Sequence, residues 1–366
     1  MSLRYPFLKT PASLGRLTVS PTTQDPGRLA RLANEIQWAG PFPRSTLAVI
    51  SFIAYNYGCA ERLGAGVQTC LQRPRTSTRT STRTILWKEC HMAKMKLGTI
   101  VGVTDNPKAS FERCRELGVP TCQLSCTAER LLGKFKPEQI RAAADETGIE
   151  ISSFFILFEG QVWDRFKGLP TMGLVAPDHR AKRLPLAKQF ADMVRDIGIK
   201  SITSHIGFIP DDPKDPVYIG FIETMKDLAN HLLKNGQTLA FETGQELPST
   251  LKRTILDVGT GNLLVNLDPA NLILYGKAHP LDAAEILGEY IRAMHAKDGI
   301  WPNRDEKLGY EKALGEGDVN FPVLMPLVKS KGFRGPITIE REIHGPQQTE
   351  DIKKAIRFLE PYLELD

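Results

Sequence analysis

A closed (β/α)8 barrel preceded by a separate N-terminal segment is the fold that this sequence predicts. Three observations predict it. Eight apolar runs of strand length recur from Lys96 onward, and each is followed by residues whose apolar positions repeat at helical spacing. Together the alternations fill about 270 residues, close to the ~250 usual for such a barrel. The runner-up, an open doubly wound sheet, needs a glycine-rich phosphate turn after the first strand, and residues 98–105 (GTIVGVTD) supply none.

The strands are expected at 97–101, 120–125, 149–157, 201–206, 238–242, 263–268, 291–295 and 336–340. Asn106 followed by Pro107 reads as a cap plus first-turn proline for the first helix. Glycines stop most of the helices, at Gly118, Gly148, Gly198, Gly236 and Gly332. In the fourth helical stretch Phe221, Met225, Leu228 and Leu232 form one face, and Glu223, Lys226, Asp227 and Lys234 the other. Two strand-to-helix connections are long, 159–180 and 299–318. Loops of that length in a compact domain are lids or binding loops, and a barrel gathers them all at one end.

Residues 1–91 read differently from 92–366. They hold twelve Lys and Arg against four Asp and Glu, a balance of +8, which leaves −3 of the net +5 for the body. RTSTRTSTRT at 75–84 is a basic low-complexity repeat. The segment is expected to be disordered, an acid-poor targeting stretch, or upstream sequence outside the functional protein, since Met92 and Met95 stand just before the first strand. An acidic body argues against a nucleic-acid partner. Six scattered cysteines do not make a disulfide framework and point to a reducing compartment, the cytoplasm. Cys122 and Cys126 have ligand spacing, but no second pair follows. No apolar run reaches the length of a membrane span.

Four runs carry the chemistry. LAFE at 239–242, LLVNLD at 263–268, IRAMH at 291–295 and ITIE at 337–340 each end on a group able to hold a metal: Glu242, Asp268, His295 and Glu340. Three carboxylates and one imidazole suit one divalent ion, Mn2+, Mg2+ or Co2+, and the lack of cysteine argues against structural zinc. Such an ion can hold neighbouring carbonyl and hydroxyl oxygens of a sugar while the carbon between loses a proton. Glu242 and Glu340, on non-adjacent strands, are placed to remove and return that proton. GEGD at 315–318 reads as a turn leading into the next helix, because its two acids would repel a phosphate.

These residues also carry a family resemblance. FETGQE at 241–246, NLDPANL at 266–272, HAKDG at 295–299, GEGDVNF at 315–321 and TIERE at 338–342 resemble the sugar phosphate isomerase/epimerase group of xylose isomerase-like TIM barrels, over roughly 97–360. The resemblance implies metal ligation by Glu242, Asp268, His295 and Glu340, with Glu242 and Glu340 as the acid/base pair. It makes His205 the substrate-facing histidine, and places Lys297 and Asp298 in the pattern after the ligand histidine. Asp298 and Glu246 are expected to support the ligands by hydrogen bonds. The group's ketose 3-epimerases carry a histidine where Asn271 stands and an arginine where Trp301 stands, so a free ketose 3-epimerase fits poorly. Asn271, Lys297, Trp163 and Trp301 are expected to face the substrate.

The function so implied is a metal-dependent isomerase or epimerase of a sugar or keto-sugar, phosphorylated or not. A metal-dependent lyase or dehydratase acting on a sugar or inosose-like substrate is the alternative. An abasic-site nuclease would need histidines at the second and third strand ends, which read LSCTAE and FILFEG. A sugar-binding barrel without turnover fits poorly with both glutamates retained. The expected partner is a small sugar, with no nucleic acid and no membrane, the chain acting alone or as a homo-oligomer.

Overall fold

Alternating apolar runs and amphipathic stretches have one economical solution, strands buried on both faces inside a ring of helices. The computed structural model describes residues 94–304 and 307–364 and has that arrangement. The N-terminal segment expected at 1–91 lies outside the described residues. In chain order the elements are β1 (Leu97–Gly102), α1 (Pro107–Leu117), β2 (Thr121–Thr127), α2 (Ala128–Lys134), α3 (Pro137–Thr147), β3 (Glu150–Leu157) and α4 (Pro177–Ile197). Next come β4 (Ser201–Ser204), α5 (Pro216–Lys234), β5 (Thr238–Glu242), α6 (Pro248–Val258), β6 (Leu263–Leu267), α7 (Pro269–Leu274) and α8 (Pro280–Leu287). The chain then runs through β7 (Ile291–Ala296), β8 (Asp298–Ile300), β9 (Tyr310–Lys312), α9 (Phe321–Ser330), β10 (Ile337–Ile339) and α10 (Pro346–Leu359).

The barrel closes in the order β1-β10-β7-β6-β5-β4-β3-β2, every pair parallel. Each predicted strand lies within two residues of an observed one. Every described α-helix except α2 has proline in its first two positions, where a missing N–H removes no helical bond. Gly118, Gly148 and Gly198 cap α1, α3 and α4 in the left-handed region that β-carbons disfavour. The predicted face of α5 is buried, with Phe221 and Met225 fully enclosed. Each such side chain contributes about 1.5–3 kcal/mol. No described helix is long and apolar enough to cross a membrane.

The structure differs from expectation in three places. Asn106 occupies the cap position of α1 but makes no side-chain cap bond; its carbonyl instead accepts from the Ala109 N–H and the Thr104 hydroxyl. The first long loop ends at 176, since α4 starts at Pro177. The second contains an antiparallel hairpin, β8 with β9, too short to show as an apolar run.

Two bulges set the register of the lumen. On β3 an extra residue, Ser152, lies between the partners of Cys122 and Gln123, so Gln123 stands opposite Ser153. On β7 an extra residue, Arg292, lies between the partners of Val265 and Asn266. Continuing that register puts His295 beside Asp268. A one-residue slip reverses which face a side chain takes, so these insertions decide what the lumen contains.

Candidate active site

Glu242 is the last residue of β5, Asp268 follows β6 as the cap of α7, His295 is in β7 and Glu340 follows β10. These four strands are consecutive around the barrel. Parallel register partners point to the same face, and that parity brings all four side chains over the lumen. One ligand atom from each lies within 4.8 Å of all the others. Glu242, Asp268 and His295 are buried, while the Glu340 side chain keeps 15% exposure toward the mouth.

Nδ1 of His295 is the centre of the group. It lies 2.8 Å from Glu340 Oε2, 2.9 Å from Glu242 Oε1 and 3.5 Å from Asp268 Oδ2. One ring N–H can satisfy only one of them. Glu242 Oε2 and Glu340 Oε2 each meet only an imidazole nitrogen, at 2.8 Å, and Asp268 Oδ2 is buried without a hydrogen bond; buried anionic oxygens in this number call for compensation by a cation. The donor set is three carboxylates and an imidazole, with no thiolate. It fits a hard divalent ion, and these four residues could hold one.

The surrounding charges divide the carboxylates. Burial works against ionisation of Glu242, but the imidazoles of His205 and His295 outweigh it and hold the carboxyl well below its usual range. Burial likewise opposes ionisation of Glu340, and Lys297 and His295 reverse it, bringing the pKa to about 2. Asp268 goes the other way, pushed up to about 6 by burial despite Lys297. For His295 burial disfavours the charge, yet Glu242 and Glu340 lift its pKa well above the ordinary imidazole value.

His205, just past β4, sets Nε2 2.8 Å from Glu242 Oε2 and Nδ1 3.1 Å from Gln245 Oε1. Lys297 is buried, with Nζ 2.8 Å from Glu342 Oε1, 3.2 Å from Asn271 Oδ1 and 3.5 Å from Glu340 Oε1. Asn271 links the two sides, since its Nδ2 donates to Glu242 Oε1 at 3.2 Å. Trp163 meets the His205 ring edge-on at 4.9 Å while remaining 48% exposed. Trp301 is exposed just beyond β8 and joins none of these contacts. Glu246 is buried with Oε1 unpaired, and burial lifts its pKa to about 7.

Asp298 serves the loop rather than the four-residue cluster. Its carboxylate accepts from the N–H groups of Gly299, Gly315, Gly317 and Val319. The glycines of GEGD therefore do cradle an anion, and the anion is the protein's own. Residues given no role from the sequence also belong here. Gln245 and Glu342 orient His205 and Lys297, and Gln123 Oε1 lies 2.9 Å from His295 Nε2. Only one signal could have revealed Gln123, a long polar side chain midway along the apolar strand TCQLSCT.

A family model described as a xylose isomerase-like TIM barrel matches residues 111–362. The chain belongs to that family. A xylose isomerase domain protein from Planctomyces limnophilus is 34% identical and superposes with a TM-score of 0.68, the match covering 74% of this chain and 97% of that one. This xylose isomerase-like barrel also shares its fold with a 3-keto-D-glucoside 4-epimerase from E. coli, at 15% identity and TM-score 0.54, covering 73% of this chain and all (100%) of the other. A Mycobacterium smegmatis xylose isomerase-like barrel in complex with magnesium matches at 17% identity and TM-score 0.53, covering 71% and 89%. No curated protein sequence matches.

Proposed function

We propose that this barrel is a divalent-metal-dependent isomerase or epimerase of a sugar or keto-sugar. The observation that carries the reading is the meeting of Glu242, Asp268, His295 and Glu340 within 4.8 Å at the end of the lumen where the strand-to-helix loops gather. An ion held there would bind adjacent carbonyl and hydroxyl oxygens and offset the negative charge that grows when the carbon between them loses its proton. The fold shared with sugar epimerases, one a 3-keto-D-glucoside 4-epimerase, supports the substrate class.

The chain's own groups then handle the proton. Glu242 and Glu340 rise from strands separated by β6 and β7, and each is kept ionised by its own cationic neighbours, His205 beside Glu242 and Lys297 near Glu340. With a carboxyl group on each side of the bound carbon, the ionised one removes the proton, and the other, once it has taken up a proton from solvent, delivers that proton to the opposite face, which inverts the centre. Asn271 holds Glu242 on one side and accepts from Lys297 on the other, so the two acid/base groups keep a fixed separation. Trp163, edge-on to His205 and open to solvent, is positioned to cover a sugar ring.

The test is incubation of the full chain with Mn2+ and a panel of keto-sugars in deuterated water. Deuterium entering beside the carbonyl without loss of mass is the expected result. Loss of water would assign a lyase on the same scaffold. Exchange that survives unchanged in both Glu242→Gln and Glu340→Gln would overturn the acid/base assignment.

A further inference from the structure

We propose that Gln123 is a positioning residue that makes His295 present the lone pair of Nδ1 to the carboxylate cluster. The proposal rests on the cation reading above. An imidazole can ligate through a nitrogen only if that nitrogen carries no proton, and the proton's place is set by what the other nitrogen meets. Here Nε2 meets Gln123 Oε1 at 2.9 Å. An amide oxygen only accepts, so Nε2 keeps its N–H, and the proton that a cation would displace is the one on Nδ1, which faces Glu242, Asp268 and Glu340.

The arrangement depends on which way the Gln123 amide points. Turned over, its N–H2 would donate to Nε2, the ring proton would move to Nδ1, and ligation through Nδ1 would be blocked. Two hydroxyl oxygens accept from the amide in the productive orientation. Gln123 Nε2 donates to Ser153 Oγ at 2.7 Å and to Thr203 Oγ1 at 3.3 Å, which engages both amide hydrogens. Those hydroxyls are themselves 3.3 Å apart, Thr203 donating to Ser153. All three side chains are buried, at 2% exposure or less, so no solvent competes for the amide.

The backbone supplies this relay. The extra residue on β3 is what pairs Gln123 with Ser153, and the parity of β4 brings Thr203 to the same lumen. Gln123 reaches His295 from a strand that β1 and β10 separate from β7. It therefore supports the cluster from beneath without occupying any place a sugar would use.

The decisive measurement is Mn2+ affinity of the full chain, read as free ion by electron paramagnetic resonance. Gln123→Met keeps length but removes the acceptor, and an about 10–100-fold weaker affinity is expected. Gln123→Glu keeps an acceptor for Nε2–H and should bind within about threefold of the parent or tighter. Ser153→Ala, which leaves Gln123 in place but frees its amide to turn, should fall between them. Melting in chelator separates loss of affinity from loss of fold. Parental affinity in Gln123→Met, or equal losses in Gln123→Met and Gln123→Glu, would overturn the role of Gln123. A parent chain that binds no Mn2+ would instead remove the cation reading itself.

Discussion

Replacing Asp268 with asparagine isolates the charge of the cluster from its architecture. Oδ1 of Asp268 accepts the Asn271 N–H at 2.8 Å and so caps α7. The amide oxygen of asparagine can keep that bond. Oδ2, by contrast, is buried and has no hydrogen bond. Removing its charge takes a carboxylate from His295 Nδ1 at 3.5 Å and Lys297 Nζ at 4.0 Å, but both keep closer ones, Glu242 and Glu340 for His295 and Glu342 for Lys297, and burial already disfavours ionisation, pushing the pKa to about 6. The variant should melt in chelator within ~2 °C of the parent, because a capping bond kept intact costs nothing. A cation at 100 times its dissociation constant stabilises the parent by about 2.7 kcal/mol. At about 2–4 °C per kcal/mol for a domain of this size, saturating Mn2+ should raise the parent's Tm by about 5–11 °C. Asp268→Asn should lose most of that rise. Cation and proton compete for the same oxygens, so the rise should be smaller at pH 5, below the Asp268 pKa, than at pH 7.5. Scanning calorimetry with and without Mn2+ decides it. A parent that melts unchanged in millimolar Mn2+, Mg2+ and Co2+, or an Asp268→Asn chain that shifts as far as the parent, would refute the reasoning.

Glu340→Gln and Glu242→Gln should each lower hydrogen exchange from a turned-over keto-sugar by about 10²–10⁴-fold at saturating Mn2+, measured by NMR. Glu246 is a carboxyl whose folded pKa, about 7, exceeds its ordinary value of 4.5. The unfolded chain therefore ionises first, and stability is lost as pH rises from 4.5 to 7 and is then level. Glu246→Gln removes that loss, and its gain over the parent in denaturant melts should be about 2–3 kcal/mol larger at pH 8 than at pH 5; an equal gain at both would count against it. Asp298→Ala deprives four loop N–H groups of their acceptor. A loss of about 3 kcal/mol and faster proteolysis within 299–318 are expected, and an unchanged digest would show that the loop holds without Asp298.

The fold was legible because its signals are local. Strand-length apolar runs, the α5 face and the stops at Gly118, Gly148 and Gly198 depend on residues a few positions apart. The cluster was legible for the same reason. A parallel barrel puts the ends of all its strands at one rim, so Glu242, Asp268, His295 and Glu340 could be placed together from their positions alone. The hairpin β8–β9 escaped notice because three residues make no measurable period. The partners of Asp298 are not legible in the sequence, since they lie up to twenty-one residues on, across a loop whose path is not written in its composition.

By itself the sequence determined the ring of strands and the chemical types at its rim, since alternation and strand-end position need no tertiary information. Only the folded chain decided which nitrogen of His295 faces the carboxylates, which of those carboxylates carry a cationic neighbour, and that a glutamine on β2 stands behind the imidazole. The physical reason is register. Single extra residues on β3 and β7 turn neighbouring side chains from one face to the other, and such insertions follow from how the whole sheet closes, not from any stretch read alone.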